Sequence, residues 1–394
     1  MKPIAKTSPA HRLPNLPPWT IAAPLFAGAV LVAAAFGFGS GGFFVTLVAA
    51  GLAASVFAAV HHAEVIAHRI GEPYGTLVLA LAVTLIEVAL IVSLMIAGGA
   101  ETAALARDTV FAAVMIILNG IIGLCLVVGG AMHREQSFSF DGVNAALVAL
   151  AAIVVLTLIF PNYTITTPGP IYSSGQLMLI AVVSLVIYGA FVFTQTIEHR
   201  RYFLHGHDRD HGDDPGHDLG HEPGHDSGHD SGGEAAAQLA LPSNTVTALS
   251  SALLLLCLGV VVLLAKKLAP SLDAAVLRLG APNAVVGVII AGIVLLPEGI
   301  AAVRAAHANR LQTSLNLALG SALASIGLTI PAVSLLSLCM HSRLVLGIDT
   351  KSSVLLILSL FLTAMALRIG RTIVLHGVVL LVVFAVYLFT TVIP

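Results

Sequence analysis

YGTLVLALAVTLIEVALIVSLMIA, residues 74–97, and NAVVGVIIAGIVLLPEGIAA, residues 283–302, decide the fold class. Each run is long enough to cross the hydrocarbon core of a bilayer as a helix, which takes about 20 residues. Each also carries one carboxylate near its centre, Glu87 and Glu298. An acidic side chain at that depth costs roughly 2.5–3.5 kcal/mol on insertion scales, so it is expected to face protein, water or a cation rather than lipid. Two such residues, one in each half of the chain, point to an ion pathway.

The remainder of the chain reads the same way. Of its 394 residues, 58% are hydrophobic and 10% charged, with a mean hydropathy of +0.99. That composition belongs to an all-α polytopic membrane protein. Net charge is −2 and basic residues are scattered at segment ends, so there is no footprint for nucleic acid. Cys125, Cys257 and Cys339 lie in or beside apolar segments without metal-type spacing and read as small hydrophobes. No HExxH or GxSxG motif suggests hydrolytic chemistry. Neither an enzyme nor a resident cofactor is expected; the expected partners are inorganic cations, protons and membrane lipid, with oligomeric state left open.

Apolar stretches fall near 20–38, 43–67, 74–97, 109–131, 143–160, 175–197, 245–265, 283–303, 313–340, 351–367 and 372–391, about eleven transmembrane helices. The polar, proline-rich residues 1–19 read as a cytoplasmic tail, and the first run as an uncleaved helix rather than a signal peptide. With that tail inside, twelve basic residues lie on the inner side against six outside, the latter including Lys266 and Lys267. This bias places the N-terminus inside and the C-terminus outside. The one long hydrophilic interruption, 198–244, splits the spans into a leading helix plus five (43–197) and five more (245–394). Five is odd, so the two units enter the membrane from opposite sides, as inverted repeats require. Glu87 and Glu298 each fall on the second helix of their unit.

Both segments begin with Gly and Pro: Gly71-Glu72-Pro73 and Gly280-Ala281-Pro282. Pro297, directly before Glu298, removes a backbone donor, and the carbonyls freed near Ile293 and Val294 are potential cation ligands if the helix breaks there. The helix after each glutamate carries small polar residues: Asn119 in the first unit, Asn316, Ser321 and Ser325 in the second. Asn119, Ser321 and Ser325 are candidate secondary ligands, though helix packing explains them equally well. A hard cation such as Ca2+ takes roughly 6–8 oxygens, more than two glutamates supply. Without a cation, two facing carboxylates in low dielectric cannot both stay ionised, so protons and metal compete for the same oxygens.

These residues resemble the calcium/proton antiporters of the cation/Ca2+ exchanger superfamily, most of all the bacterial branch that exchanges Ca2+, Na+ or K+ for H+. The resemblance rests on GEPYGTLVLALAVTLIEVALIVSLM (71–95) and PEGIAAVRAAHANRLQTSLNLALGSALASIGLTIPAV (297–333). It implies that Glu87 and Glu298 bind the transported cation and that exchange runs by alternating access. The chain departs from the family pattern before each glutamate, where Thr84-Leu85 and Leu295-Leu296 replace Gly-Asn. It departs again in the first unit, where Val114-Met115 stand opposite Gly320-Ser321.

Two further clusters are chemically distinctive. Residues 216–231 repeat a Gly-His-acid-X tetrapeptide four times, placing His217, His221, His225 and His229 in a low-complexity segment. It reads as a solvated linker, or as a regulatory metal or pH-sensing site. That second reading carries the alternative function, a Zn2+ transporter with a histidine-rich sensing loop. His61, His62, Glu64, His68 and Glu72 gather at the inner end of the second helix, as an entry for cations or protons or as an ordinary interfacial cluster.

Overall fold

The computed structural model describes residues 16–36, 42–71, 74–98, 102–198, 242–278, 280, 282 and 284–393. They form eleven helices: α1 (Pro18–Ala35), α2 (Gly42–Ile70), α3 (Tyr74–Gly98), α4 (Leu105–His133), α5 (Phe140–Tyr163), α6 (Ser174–Ile197), α7 (Asn244–Arg278), α8 (Ala284–His307), α9 (Leu311–Met340), α10 (Thr350–Leu367) and α11 (Val374–Val392). Among the described residues ten are long and apolar enough to cross a membrane, and α1 is the shorter apolar one. In hydrocarbon every backbone polar group must be satisfied within its own segment, so runs of this composition fold as helices.

Two points differ from the sequence reading. α7 does not stop near residue 265 but continues to Arg278 through Pro270, so Lys266 and Lys267 lie within the helix, exposed, rather than in a loop. α8 runs unbroken through Pro297. A proline deletes one hydrogen bond and crowds the preceding turn, and here the packing around a buried Pro297 holds the helix together. Irregular backbone lies elsewhere, in π-turns at Ile116–Ile121 of α4, Val155–Ile159 of α5 and Thr194–Glu198 at the end of α6.

The connections alternate between two ends. At one end Arg69, closing α2, donates to the Pro242 carbonyl (2.9 Å) and to Asn244 Oδ1 (2.6 Å) at the start of α7. A two-residue strand pair, β1 (Gln136–Ser137) with β2 (Arg371–Thr372), and the bond from Gln136 Nε2 to the Ala306 carbonyl tie the α4–α5, α10–α11 and α8–α9 turns together. At the other end the segment before α10 is stitched to the start of α4 and the end of α5, by Val345 N–H to the Ala103 carbonyl and Ile348 N–H to the Leu158 carbonyl. α2 therefore ends where α7 begins, and the two run antiparallel against each other. The helices leading into α3 and α8 both turn on a glycine at positive φ, Gly71 (79°) and Gly280 (66°), a conformation that glycine adopts without a Cβ clash.

α4 and α9 form the centre and are the most enclosed spans, whereas α6, α10 and α11 lie at the periphery. The packing around them is reciprocal: α3 and α6 lie against α9, while α8 and α11 lie against α4. Small residues allow these approaches. A Cβ on Gly327 of α9 would strike the Tyr188 ring of α6, and Gly123 of α4 faces the Gly377 backbone of α11.

Candidate cation site

Glu87 and Glu298 are both buried, with 3% and 8% of their surface exposed. Each meets a hydroxyl from α9. Ser325 Oγ lies 2.6 Å from both carboxylate oxygens of Glu87, and Ser321 Oγ donates to Glu298 Oε2 at 2.6 Å. These distances fall in the range for a hydroxyl donating to a charged carboxylate. The two serines are four residues apart and so occupy neighbouring positions on one face of α9. The vertical register agrees. At a rise of roughly 1.5 Å per residue, Glu298 lies about 14 Å from the α8 end and Ser321 about 15 Å from the α9 start at the Arg69 end of the bundle. Glu87 lies about 20 Å from the α3 start and Ser325 about 21 Å from that of α9. α9 thus carries two rungs, one for each glutamate.

Asn119 is placed differently. It is fully buried on the π-turn of α4, where Nδ2 donates to Ser359 Oγ of α10 (2.9 Å) and toward the Met115 carbonyl (3.3 Å). Its Oδ1 has no hydrogen-bond partner among the described residues. The structure thus brings together four of the candidates and sets the fifth in a neighbouring network with α10. Sequence reasoning did not single out Ser359; the available signal was a serine in the middle of the apolar stretch between Ser353 and Thr363. Asn316 pairs with Gln312 Nε2 near the start of α9. His217, His221, His225, His229 and Glu72 lie outside the described residues. Among the described residues no three His, Cys, Asp or Glu side chains gather as a metal site.

A buried, hydroxyl-bonded carboxylate pair at the crossing of three central helices is the arrangement to compare with known proteins. The sodium/calcium exchanger protein family matches residues 40–197 and 249–393. The chain belongs to that family. It is 47% identical to the protein y4hA of Sinorhizobium fredii over 349 residues, 88% of each chain. It is 35% identical to the sodium-potassium/proton antiporter ChaA of Escherichia coli over 340 residues, 86% of each. Two solved structures share the fold. YfkE has a TM-score of 0.68 at 15% identity and covers 95% of this chain and 100% of its own. The H+/Ca2+ exchanger CAX has a TM-score of 0.67 at 14% identity, with 94% and 87% covered. The chain is accordingly an integral membrane antiporter of the cation/Ca2+ exchanger superfamily and not an enzyme.

Proposed function

We propose that this protein exchanges Ca2+, Na+ or K+ for protons across a bacterial inner membrane, with cation and protons competing for Glu87 and Glu298. The observation that carries this reading is the shared support of both carboxylates by one helix, through Ser321 and Ser325. Four carboxylate oxygens and two hydroxyls amount to about six, the lower bound for Ca2+. The Ile293 carbonyl, left without its helical donor by Pro297, is a further oxygen on α8. Protonation of the pair discharges it and releases the cation. Coupling then requires only that the site open to one side at a time.

The antiparallel course of α2 and α7 and the reciprocal packing of α3 on α9 and α8 on α4 support two inverted five-helix units, 43–197 and 245–394. In this reading Asn119, on the π-turn of α4, lies beside the shell in its network with α10 and not in it. The Arg69 end is cytoplasmic, together with the N-terminus and the 198–244 segment, and the C-terminus is outside. ChaA, at 35% identity, supports monovalent cations and protons as substrates.

Everted vesicles loaded with a pH dye test the exchange. Addition of Ca2+, Na+ or K+ should release protons from acidified vesicles, and absence of release with all three would refute the proposal. Deleting 205–231 separates the Zn2+ alternative. Loss of Zn2+ transport with retained Ca2+, Na+ or K+ exchange would assign the histidine loop to transition metal.

A further inference from the structure

The turn between α8 and α9 is fastened by side chains that sequence reasoning passed over, and they bear on how Ser321 meets Glu298; the inference rests on the exchange reading above. A helix ends with four carbonyls that have no partner inside it. At the end of α8 these belong to Arg304, Ala305, Ala306 and His307. The N–H groups of Ala308, Arg310 and Asn309 serve the first three, in a Schellman-type turn. Its left-handed position holds Asn309, φ 58°, where glycine is usual.

The remaining bonds come from the other half of the chain. Gln136, between α4 and α5, is 4% exposed. Its Nε2 donates to the Ala306 carbonyl (2.9 Å) and to Asn309 Oδ1 (3.0 Å). A carbonyl only accepts, so the amide enters nitrogen first. Its Oε1 is left buried without a partner among the described residues. The side chain lies against Gly129 of α4, where a Cβ would overlap it. His133 Nε2 meets the His307 carbonyl at 2.9 Å. On the α9 side, Gln312 Oε1 accepts from the Ser139 N–H at 2.6 Å, and Gln312 Nε2 donates to Asn316 Oδ1 at 2.9 Å. The α4–α5 connection thus grips both the last turn of α8 and the first turn of α9.

Glu298 stands about 14 Å back from His307, and Ser321 about 14 Å on from Gln312. Both helices are continuous over that distance, so a shift at the turn is carried along them to the Ser321–Glu298 bond. Gln136 grips α8, which carries nothing of the Glu87–Ser325 pair. We propose that Gln136 and Gln312 are positioning residues for cation binding. By capping α8, holding Asn309 and anchoring the start of α9, they set the register at which Ser321 meets Glu298. Neither touches the cation.

The test is a double-mutant cycle on the full-length protein in liposomes, with cation-driven proton flux counted per folded molecule. Gln136→Met keeps an unbranched side chain and loses both donated bonds. It should raise the cation KM about three- to tenfold, with the maximal rate within about twofold of wild type. In a Ser321→Ala background the same substitution should add less than about twofold, since the bond it positions is gone. In a Ser325→Ala background its full effect should persist. An unchanged KM, or an equal effect in both backgrounds, would show a purely structural role and overturn the proposal. If Gln136→Met does not fold, Gln312→Glu and Gln312→Met decide. A carboxylate still accepts from the Ser139 N–H, so Gln312→Glu should keep a KM near wild type while Gln312→Met raises it; equal values would refute the grip. Failure of the wild-type chain to exchange at all would refute the antiporter reading itself.

Discussion

α4 and α9 are the two most enclosed spans and would hold corresponding places in the two proposed inverted units, yet they meet the glutamate pair differently. α9 is a continuous helix that directs two hydroxyls, one turn apart, at two glutamates borne by two other helices. α4 contains a π-turn, and its one amide bonds Ser359 instead. Where α9 has Ser321, α4 has the apolar, fully buried Met115. The difference teaches that a scaffold of the proposed inverted units would hold an asymmetric shell. The acidic charge comes equally from both units, while the side-chain hydroxyls that fix it come from the second.

Breaking the acidic symmetry should have the largest effect. Glu87→Gln or Glu298→Gln should each lower cation-dependent proton flux by at least about a hundredfold, because a neutral amide neither balances the cation nor takes up the coupled proton. Flux near the wild-type rate in either variant would remove that residue from the site.

Removing the α9 rungs comes next. A hydrogen bond to a charged group contributes about 1.5–3 kcal/mol, so Ser325→Ala should raise the cation KM by roughly ten- to a hundredfold. Ser321→Ala should do less, since Ser325 spans both oxygens of its glutamate and Ser321 meets one. Equal effects would show that the rungs are interchangeable.

The smallest effect on transport is expected from α4. Asn119→Ala should change the cation KM by no more than about threefold, while thermal unfolding shows a loss of about 1–3 kcal/mol from the lost bond to Ser359 and the emptied space. A KM increase as large as that of Ser325→Ala would place Asn119 in the shell as fully as the serines and erase the asymmetry.

The sequence made much of this visible because a charge in an apolar run is costly. Glu87 and Glu298 stand out for that reason alone, and the helix after each is the natural place to look for more oxygens. The division of labour between α4 and α9 was not visible, since both carry small polar residues at helical spacing. Asn119 differs because the π-turn Ile116–Ile121 inserts an extra residue into the helical repeat, and no period in an apolar sequence reports that. Likewise Pro297 reads as a break, but a bundle that buries it keeps α8 intact. The Lys266–Lys267 pair reads as a loop, but exposed lysines can hold their charge in water while the helix continues.

The claim that Glu87 and Glu298 make one site, not two, is tested most directly by equilibrium binding of Ca2+ to the purified protein in detergent at two pH values. The account predicts one cation per chain, proton release on binding, weaker affinity at the lower pH, and complete loss of binding in Glu87→Gln and in Glu298→Gln alike. Two cations per chain, or half of the binding surviving in each single variant, would contradict it.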